Sequence, residues 1–451
     1  MASAAEQLAA NMNFASFQKA TELHKRIWFT IIALIVYRLG SYVPIPGIDA
    51  ASYAQLFSRN SEGILGMFNM FSGGAVQRMA IFSLNVTPYI SASIIVQLMG
   101  TVYPPWEKLK KEGGEAGRKT LNQYTRYFAV VLAVVQSASI AMGLAAQPGI
   151  VVDGVSHAFF IVSTVVALTG GTLFLMWLGE QITSRGVGNG VSLIIFAGIV
   201  ARLPISLGQL LVQAQTSGNY TPLFLIVIGA VAAILAIVFM ERSQRRLLVH
   251  YPKRQQGNRM IGGESSFMPL KINTAGVIPP IFASSLLLLP TTALQFVNAA
   301  NLPSWASWLP GVVGALQHGH PAFLVFYALL IIFFSFFYTS VVFNPEETAE
   351  NLRKYGGFLP GIRPGKRTAE YLDYVLTRLT VIGAAYITAV CIAPEFVMML
   401  IKSNQFALGG TSILIVVTVT MDTVAQIQSH LLAHQYEGLI KKSKLRGGRN
   451  R

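Results

Sequence analysis

The sequence has little charge and almost no cysteine. Only 12% of its 451 residues are Asp, Glu, Lys or Arg, whereas 53% are apolar and the mean hydropathy is +0.53. A soluble globular domain carries about 25% charged residues, so these charges are too few to coat a water-exposed surface of this size. The lone Cys391 cannot form an intrachain disulfide, which excludes a disulfide-stapled secreted domain. We expect Cys391 to face lipid or the protein core.

Long apolar runs take the place of charge. Ten segments are long enough to cross a bilayer as helices, and helix is favoured because a spanning segment must satisfy its own backbone polar groups. The predicted spans are 27–43, 77–102, 124–146, 156–179, 189–212, 221–240, 274–297, 321–343, 376–398 and 409–433. The predicted fold class is therefore an all-α polytopic membrane protein. No cleavable signal peptide is expected in residues 1–24, which lack an apolar core.

Basic residues are distributed unevenly between the connections. Most of the 34 Lys and Arg lie in the N-terminal segment, the even-numbered connections and the tail, and the odd-numbered connections hold only Arg59 and Lys402, with Arg202 in the span before the fifth connection. By the positive-inside rule, both termini are predicted to face the cytoplasm. The net charge of +15 then belongs to a cytoplasmic surface that attracts anionic partners.

Two cytoplasmic loops, 241–273 and 344–375, are longer than a tight turn requires. Loops of this length are usually functional or disordered. One interpretation is topogenic charge that is also attracted to anionic lipid, and the other is a docking site for a large soluble partner. The mixture of Arg, Tyr, Phe, Gly and Pro favours an ordered loop over a plain polybasic one.

Residues 63–74, GILGMFNMFSGG, are apolar but too short to cross a bilayer. The residues alone leave two readings open, a re-entrant half-helix that lines or blocks a cavity and an external loop on the membrane interface. Helix breakers occur in three of the predicted spans, at Pro88, Pro279–Pro280 and Gly170–Gly171, and we expect the prolines to kink their helices. Small residues beside the prolines would make a seam between helices that could open.

Ionisable groups of the kind that catalysis or ion coupling requires are scarce within the predicted spans. The seven histidines lie in loops or at segment ends, and Asp422 is the one acid deep in a span, where a polar contact is expected. No catalytic residue, metal site or cofactor is predicted. From the residues alone, the alternatives are a solute transporter and a passive gated channel worked by a cytosolic partner.

Several long motifs follow one another from about residue 14 to the tail. They include RLGSYVPIPGID from Arg38, RRLLVHYPKRQQG from Arg245, AGVIPPIFASS from Ala275, FFYTSVVFNPEETAENL from Phe336 and AQIQSHLLAHQYE from Ala425. Together they resemble the SecY family, the central channel subunits of bacterial protein translocases. The resemblance implies ten helices in two inverted halves of five, with a short re-entrant plug helix. It divides the chain into a cytoplasmic segment 1–24, halves 25–212 and 213–433, and a basic cytoplasmic tail 434–451.

The same resemblance implies three groups of channel residues. The plug would comprise Gly63, Ile64, Leu65, Gly66, Met67, Phe68, Asn69, Met70, Phe71, Ser72, Gly73 and Gly74. The pore ring would comprise Val86, Ile90, Val191, Ile195, Ile281 and Ile415. The lateral gate between the second and seventh helices would include Ser91, Ser93, Ile278 and Ser284.

The function implied by the resemblance is passage of unfolded secretory proteins across the bacterial inner membrane, with lateral release of transmembrane segments. A motor or ribosome would dock on the two long loops through Arg245, Arg246, Lys253, Arg254 and Arg363. The implied partners are the SecE and SecG subunits, the SecA ATPase, the translating ribosome, SecDF and YidC, signal sequences, unfolded preproteins and membrane lipids. The chain itself would not be an enzyme.

Overall fold

The computed structural model describes residues 21–60, 69–111, 113–218, 220–252, 254–256, 259–261, 265–295, 311, 321–401 and 409–447. Most of these residues are helical, as predicted. The helices in chain order are α1 (Thr21–Gly40), α2 (Ala50–Asn60), α3 (Thr87–Val102), α4 (Pro104–Lys111), α5 (Gly114–Ala145), α6 (His157–Arg185), α7 (Gly190–Ser217), α8 (Thr221–Arg242), α9 (Ile278–Gln295), α10 (Pro321–Val342), α11 (Pro345–Lys354), α12 (Lys366–Ile401) and α13 (Gly410–Gly447).

Short strands occur within the predicted docking loop 241–273, so the expectation of an all-α chain is wrong here. Strand β1 (Gln244–His250) pairs antiparallel with β4 (Ser265–Lys271), and β2 (Arg254–Gln256) pairs with β3 (Arg259–Ile261). Leu247 and Val249 of β1 are both buried, as expected for the inward face of a strand with a period of two. The loop thus has an apolar face to bury, which a plain basic loop lacks.

Each of the ten predicted spans overlaps one of the helices. Within the described residues, seven helices are long and apolar enough to cross a membrane. They are Gly114–Ala145, His157–Arg185, Gly190–Ser217, Leu223–Arg242, Pro321–Lys354, Lys366–Pro394 and Gly410–Ala433. The apolar helices Thr87–Val102 and Ile278–Leu287 are shorter. The chain is therefore a polytopic membrane protein.

Two of the predicted spans begin later than expected, at their prolines. Pro88 lies in the first turn of α3, and Pro279 and Pro280 are the second and third residues of α9. A first-turn N–H has no acceptor within the helix, so proline fits there without breaking a hydrogen bond. The prediction that these prolines kink continuous spans is wrong, because they start the helices instead.

The glycine pair predicted as a breaker in the fourth span does not interrupt the helix. Helix α6 is continuous from His157 to Arg185. A Cβ on Gly171 would overlap the carbonyl oxygen of Ile81, whereas a Cβ on Gly170 would meet nothing within 4 Å. Gly171 therefore permits close approach of another backbone, and Gly170 does not serve that purpose.

The described chain divides into two compact units. The first contains α1 to α6, α7 as far as Pro204, and α13 from Val419 onward. In it, α3 and α5 pack together with α6 through Ala92, Ala129 and Met176. The second contains the rest of α7, α8 to α12, the strands, and the start of α13. Its α10 packs against both α9 and α12.

Cys391 lies in α12 within the second unit and is buried. Of the two environments expected for it, lipid and protein core, the structure places it in the core.

Candidate functional site

A largely buried segment at residues 69–86 precedes α3, and after a helical turn at residues 69–71 it is irregular. Its polar groups are satisfied locally, since Gly74 N donates to Asn69 O at 2.8 Å and Gln77 N donates to Asn69 Oδ1 at 2.9 Å. Asn85 Nδ2 donates to Phe71 O at 2.9 Å and ties the end of the segment to its beginning. Residues 77–86 were predicted to be part of a spanning helix and are not helical. Met79 and Asn85 have left-handed φ values of 45° and 49°, which a helix does not accommodate.

The connection after α1 holds the buried segment from one side. Ile45 N donates to Met79 O and Ile81 N donates to Val43 O, both at 3.0 Å. The same connection is anchored at its far end, where Asp49 N donates to Ile150 O at 2.8 Å. Hydrogen bonds from Ser52 Oγ and from the backbone of Ala51 keep the pKa of Asp49 below its usual value.

Helix α7 approaches the buried segment through a glycine. A Cβ on Gly198 would overlap Phe71 O and would lie 3.1 Å from both Gly73 N and the Tyr37 hydroxyl. Any larger side chain at Gly198 would therefore push against the backbone of residues 71–73. The buried segment thus lies against α7 because position 198 has no side chain.

The structure describes the second half of the predicted plug. Asn69, Met70, Phe71, Ser72, Gly73 and Gly74 belong to the buried segment, whereas Gly63, Ile64, Leu65, Gly66, Met67 and Phe68 lie outside the described residues. Gly73 and Gly74 have φ values of 66° and 87°, the region that favours glycine. Arg38 Nη1 donates to Gly73 O at 2.5 Å. The glycine pair reverses the chain, and an arginine from α1 holds the turn.

Four of the predicted pore-ring residues belong to the first unit. Val86 is the N-cap of α3, and Ile90 lies one turn further along, with Ile90 N donating to Val86 O at 3.0 Å. Val191 and Ile195 lie in the first two turns of α7. Val86, Ile90 and Ile195 are buried and Val191 is half-buried.

The other two pore-ring residues begin helices of the second unit. Ile281 is the fourth residue of α9 and is half-buried, and Ile415 is the sixth residue of α13 and is fully buried. All six predicted residues therefore lie at or just after a helix start.

These helix starts repeat in sequence, a signal that the sequence analysis missed. The pattern Pro-x-Ile-x-Ala-Ser occurs at 88–93 in α3 and again at 279–284 in α9. The pattern Gly-x-Ser-x-x-Ile occurs at 190–195 in α7 and again at 410–415 in α13. In each pattern the isoleucine is a predicted ring residue.

The packing around the second pattern repeats as well. A Cβ on Gly190 would overlap the carbonyl oxygen of Gly179, on the preceding helix α6. A Cβ on Gly410 would overlap the carbonyl oxygen of Val390, on the preceding helix α12. Both helices thus start from a glycine packed closely on the backbone of the helix before it.

The predicted gate residues lie on α3 and α9. Ser91 is buried, and Ser93 Oγ accepts a hydrogen bond from Gln97 Nε2 at 3.2 Å. Ser284 Oγ donates to Ile281 O at 3.0 Å, and Ile278 is the first residue of α9. Each helix therefore presents small side chains within its first three turns.

The two long loops form one packed structure, which the sequence analysis treated as two separate loops. His250 N donates to Phe358 O at 2.9 Å and Phe358 N donates to His250 O at 3.0 Å. Behind this bridge, Leu247 and Leu270 from the first loop share a buried cluster with Leu359 from the second. We name this unit, comprising the described residues of 241–273 and 344–375, the loop subdomain.

Three of the predicted docking arginines are exposed on the loop subdomain. Arg245 and Arg246 lie on β1 and Arg363 lies in the turn before α12, where Thr368 Oγ1 donates to Arg363 O at 3.0 Å. Arg254 lies in β2, and Lys253 lies outside the described residues.

Of the polar groups towards the C-terminus, Asp422 and His430 are exposed on α13. The described residues contain no group of three side chains able to hold a metal ion.

Comparison with known proteins gives the same family throughout. The SecY family model matches residues 80–424. The protein translocase subunit SecY of Vibrio cholerae is 52% identical over 439 residues, covering 96% of this chain and 98% of the relative. SecY of Escherichia coli K12 is 51% identical over 429 residues, covering 94% of this chain and 96% of the relative.

Solved structures share the fold. A protein-conducting channel superposes with a TM-score of 0.66 at 17% identity, covering 90% of this chain and 92% of its own. A SecY structure concerned with the plug domain in the closed state gives 0.63 at 18% identity, with coverages of 90% and 92%. Sec61 from a canine ribosome–channel complex gives 0.62 at 17% identity, again with coverages of 90% and 92%. With a family model that matches most of its length and relatives half identical along nearly all of it, the chain belongs to the SecY family of protein translocase subunits.

Proposed function

We propose that this translocase subunit is the channel through which unfolded secretory proteins cross the bacterial inner membrane, and from which transmembrane segments leave sideways into lipid. The observation that carries the proposal is the repeated pair of helix starts, which offers aliphatic side chains from four helices. An apolar constriction resists ions because they would shed hydration there without compensation. Aliphatic side chains can still move apart for a peptide of any sequence.

The ten predicted spans form two halves, 25–212 and 213–433, in this proposal. The repeat supports the division, because its two patterns fall on the second and fifth spans of each half. The orientation rests on the basic residues, which place both termini in the cytoplasm. An odd number of spans per half is what an inverted repeat requires.

Residues 63–74 act as a plug that closes the ring from one side. The burial of 69–74 supports this role, because irregular backbone at membrane depth is tolerated only within protein or beside a cavity. The left-handed pair Gly73–Gly74 supplies a hinge, and the single hydrogen bond from Arg38 to Gly73 O is a contact that can be broken and remade.

The lateral gate lies between α3 and α9 in this proposal. Small residues such as Ser91, Ser93 and Ser284 allow close but weak helix contact, so the two helices can separate at modest cost. An apolar segment in the channel gains free energy by moving through that opening into lipid.

The loop subdomain is the docking site for the partner that drives transport. The sequence predicts no catalytic residue, so we place the energy source in the SecA motor or the translating ribosome. Exposed Arg245, Arg246 and Arg363 supply the charge for such a partner. A structural neighbour is Sec61 in a ribosome–channel complex, which supports the ribosome as one such partner. SecE, SecG, SecDF and YidC would complete the assembly.

The test is to replace Ile90, Ile195, Ile281 and Ile415 together by serine. We expect the resting ion conductance of the reconstituted complex to rise, because hydroxyls ease ion dehydration, and export to accept precursors with defective signal sequences. The matched control replaces the exposed Met99 and Val200, on the same helices α3 and α7, by serine. Conductance that stays at the unsubstituted level in the fourfold variant would remove the ring assignment.

A further inference from the structure

Three arginine side chains meet beside the glycine pair at the end of the plug segment. Arg38 comes from the last turn of α1, Arg78 from the buried segment and Arg202 from within α7. An ideal Cβ on Gly74 would lie 2.9 Å from Arg202 Nη1 and 3.5 Å from Arg78 Nη1. An ideal Cβ on Gly73 would lie 2.9 Å from Arg38 Nη1.

Tyr42 brings two of these arginines together from the other side. The guanidinium carbon of Arg78 lies 4.0 Å from the centre of the Tyr42 ring, and that of Arg38 lies 4.8 Å from it. Arg38 Nη2 also donates to the Tyr42 hydroxyl at 2.9 Å. Tyr42 is half exposed, so the cluster is open to the surface at this edge.

Within the described part of the chain, the hydrogen-bond partners of the cluster are all neutral. Arg38 donates to Gly73 O and Tyr42 Oη, and Arg202 Nη1 donates to Gln77 Oε1 at 3.1 Å. Arg78 Nη1 is buried and has no hydrogen-bond acceptor among the residues that the structure describes. Among the residues described, none of the three arginines forms an ion pair with a carboxylate.

Three partly buried guanidinium groups around one glycine pair repel one another, and neutral acceptors offset little of that repulsion. A guanidinium presents a planar fork of donors that matches the oxygen atoms of phosphate. We propose that Arg38, Arg78 and Arg202 form a binding site for a phosphate-type oxyanion, contacting Arg78 Nη1 and opening at Tyr42. The oxyanion is either a phospholipid headgroup or free inorganic phosphate.

Binding of an oxyanion would fix the turn at Gly73–Gly74. The ligand would draw together α1, α7 and the buried segment, each of which supplies one arginine. Backbone amides of residues 69–86 would then open less often, by the factor one plus the ratio of ligand concentration to Kd. This stabilisation is expected whether or not residues 63–74 seal a channel, so it does not depend on the proposed function.

The test is hydrogen exchange of residues 69–86 in the full-length protein. One arm adds inorganic phosphate to protein in phosphate-free detergent at constant ionic strength. The other compares nanodiscs of phosphatidylglycerol with nanodiscs of a phosphate-free galactolipid. At ten times the Kd we expect exchange to slow about tenfold. Protection by phosphate supports a free ion as the source, and protection by phosphatidylglycerol alone supports a lipid headgroup.

Substitutions assign the effect to the cluster. We expect Arg78→Gln and Arg202→Gln to abolish the protection and Arg185→Gln, an exposed arginine at the end of α6, to retain it. Arg78→Lys keeps the charge but lacks the planar fork. It replaces Arg78→Gln as the test variant if that protein does not fold. Lack of protection in both arms, or undiminished protection in the cluster variants, would overturn the proposal.

Discussion

Gly170 and Gly171 are neighbours in α6 but have different surroundings. Alanine favours a helix interior over glycine by about 1 kcal/mol, so Gly170→Ala, with nothing within 4 Å of its new Cβ, should be neutral or stabilising. Gly171→Ala gains the same propensity but must displace the Ile81 carbonyl, at a typical overpacking cost of about 1–3 kcal/mol. We therefore expect thermal unfolding of the purified protein to shift downward for Gly171→Ala only. Equal shifts for the two variants would contradict this account.

For single residues, the sequence indicated which positions matter for the backbone, but it did not predict the role of each one. Gly73 and Gly74 were predicted to belong to the plug, and their left-handed φ values explain why glycine suits both positions. Pro88 was identified as a breaker, yet its position relative to the helix start depends on the buried turns before it. Those turns are stabilised by partners such as Asn69 Oδ1 and Phe71 O, and no local pattern specifies them.

The loop subdomain couples two segments that are far apart in the chain. Leu359 belongs to loop 344–375 and packs in the cluster that contains Leu247 and Leu270 of the β1–β4 hairpin. Leu359→Ala should cost about 2–5 kcal/mol of local stability by leaving a cavity. We expect hydrogen exchange to accelerate in β1 and β4 as well as in loop 344–375.

The control for this prediction is Tyr355→Ala, in the same loop, because Tyr355 is 76% exposed. It should leave the exchange of β1 and β4 unchanged. If Leu359→Ala accelerates exchange in its own loop alone, the two loops are not one cooperative structure.

Helices and strands were predicted correctly where their apolar pattern in the sequence is strong, and were missed where it is weak. Long apolar runs have a clear signature, and each predicted span overlaps a helix. The strands in loop 241–273 were missed because LLVH within β1 is a short apolar run that alternates only weakly. Pairing with residues 265–271 selects the strand, and that pairing is a long-range contact.

For the whole molecule, the family could be predicted from motifs, whereas the sequence repeat could not be seen without the helix starts. Pro-x-Ile-x-Ala-Ser and Gly-x-Ser-x-x-Ile are too short to stand out in 451 residues. Their significance appears once both copies are found at the same place, the start of a helix. Gly190 and Gly410 also make matching contacts with the backbone of the preceding helix, and this similarity is visible only in the structure.

The gate proposal predicts that locking α3 to α9 stops transport. Cys391 is the only cysteine in the chain and is buried, so Cys391→Ala gives a background for introduced pairs. In that background we expect Ser93→Cys with Ser284→Cys to form a disulfide on oxidation, which requires Cα atoms within about 7 Å. Oxidation should halt export of a secretory precursor without raising ion conductance, because the ring stays closed, and a reductant should restore export.

Each single-cysteine variant provides the control for oxidation itself, and should export at the same rate in oxidant and reductant. A cross-linked double variant that still exports at the unsubstituted rate would show that α3 and α9 need not part. Failure of the pair to cross-link under any condition would count against the gate position itself. If the proposed ring supplies the seal and the proposed gate must open during transport, a lock on the gate and serine in the ring should have different effects. The first should lower protein flux at constant conductance, and the second should raise conductance.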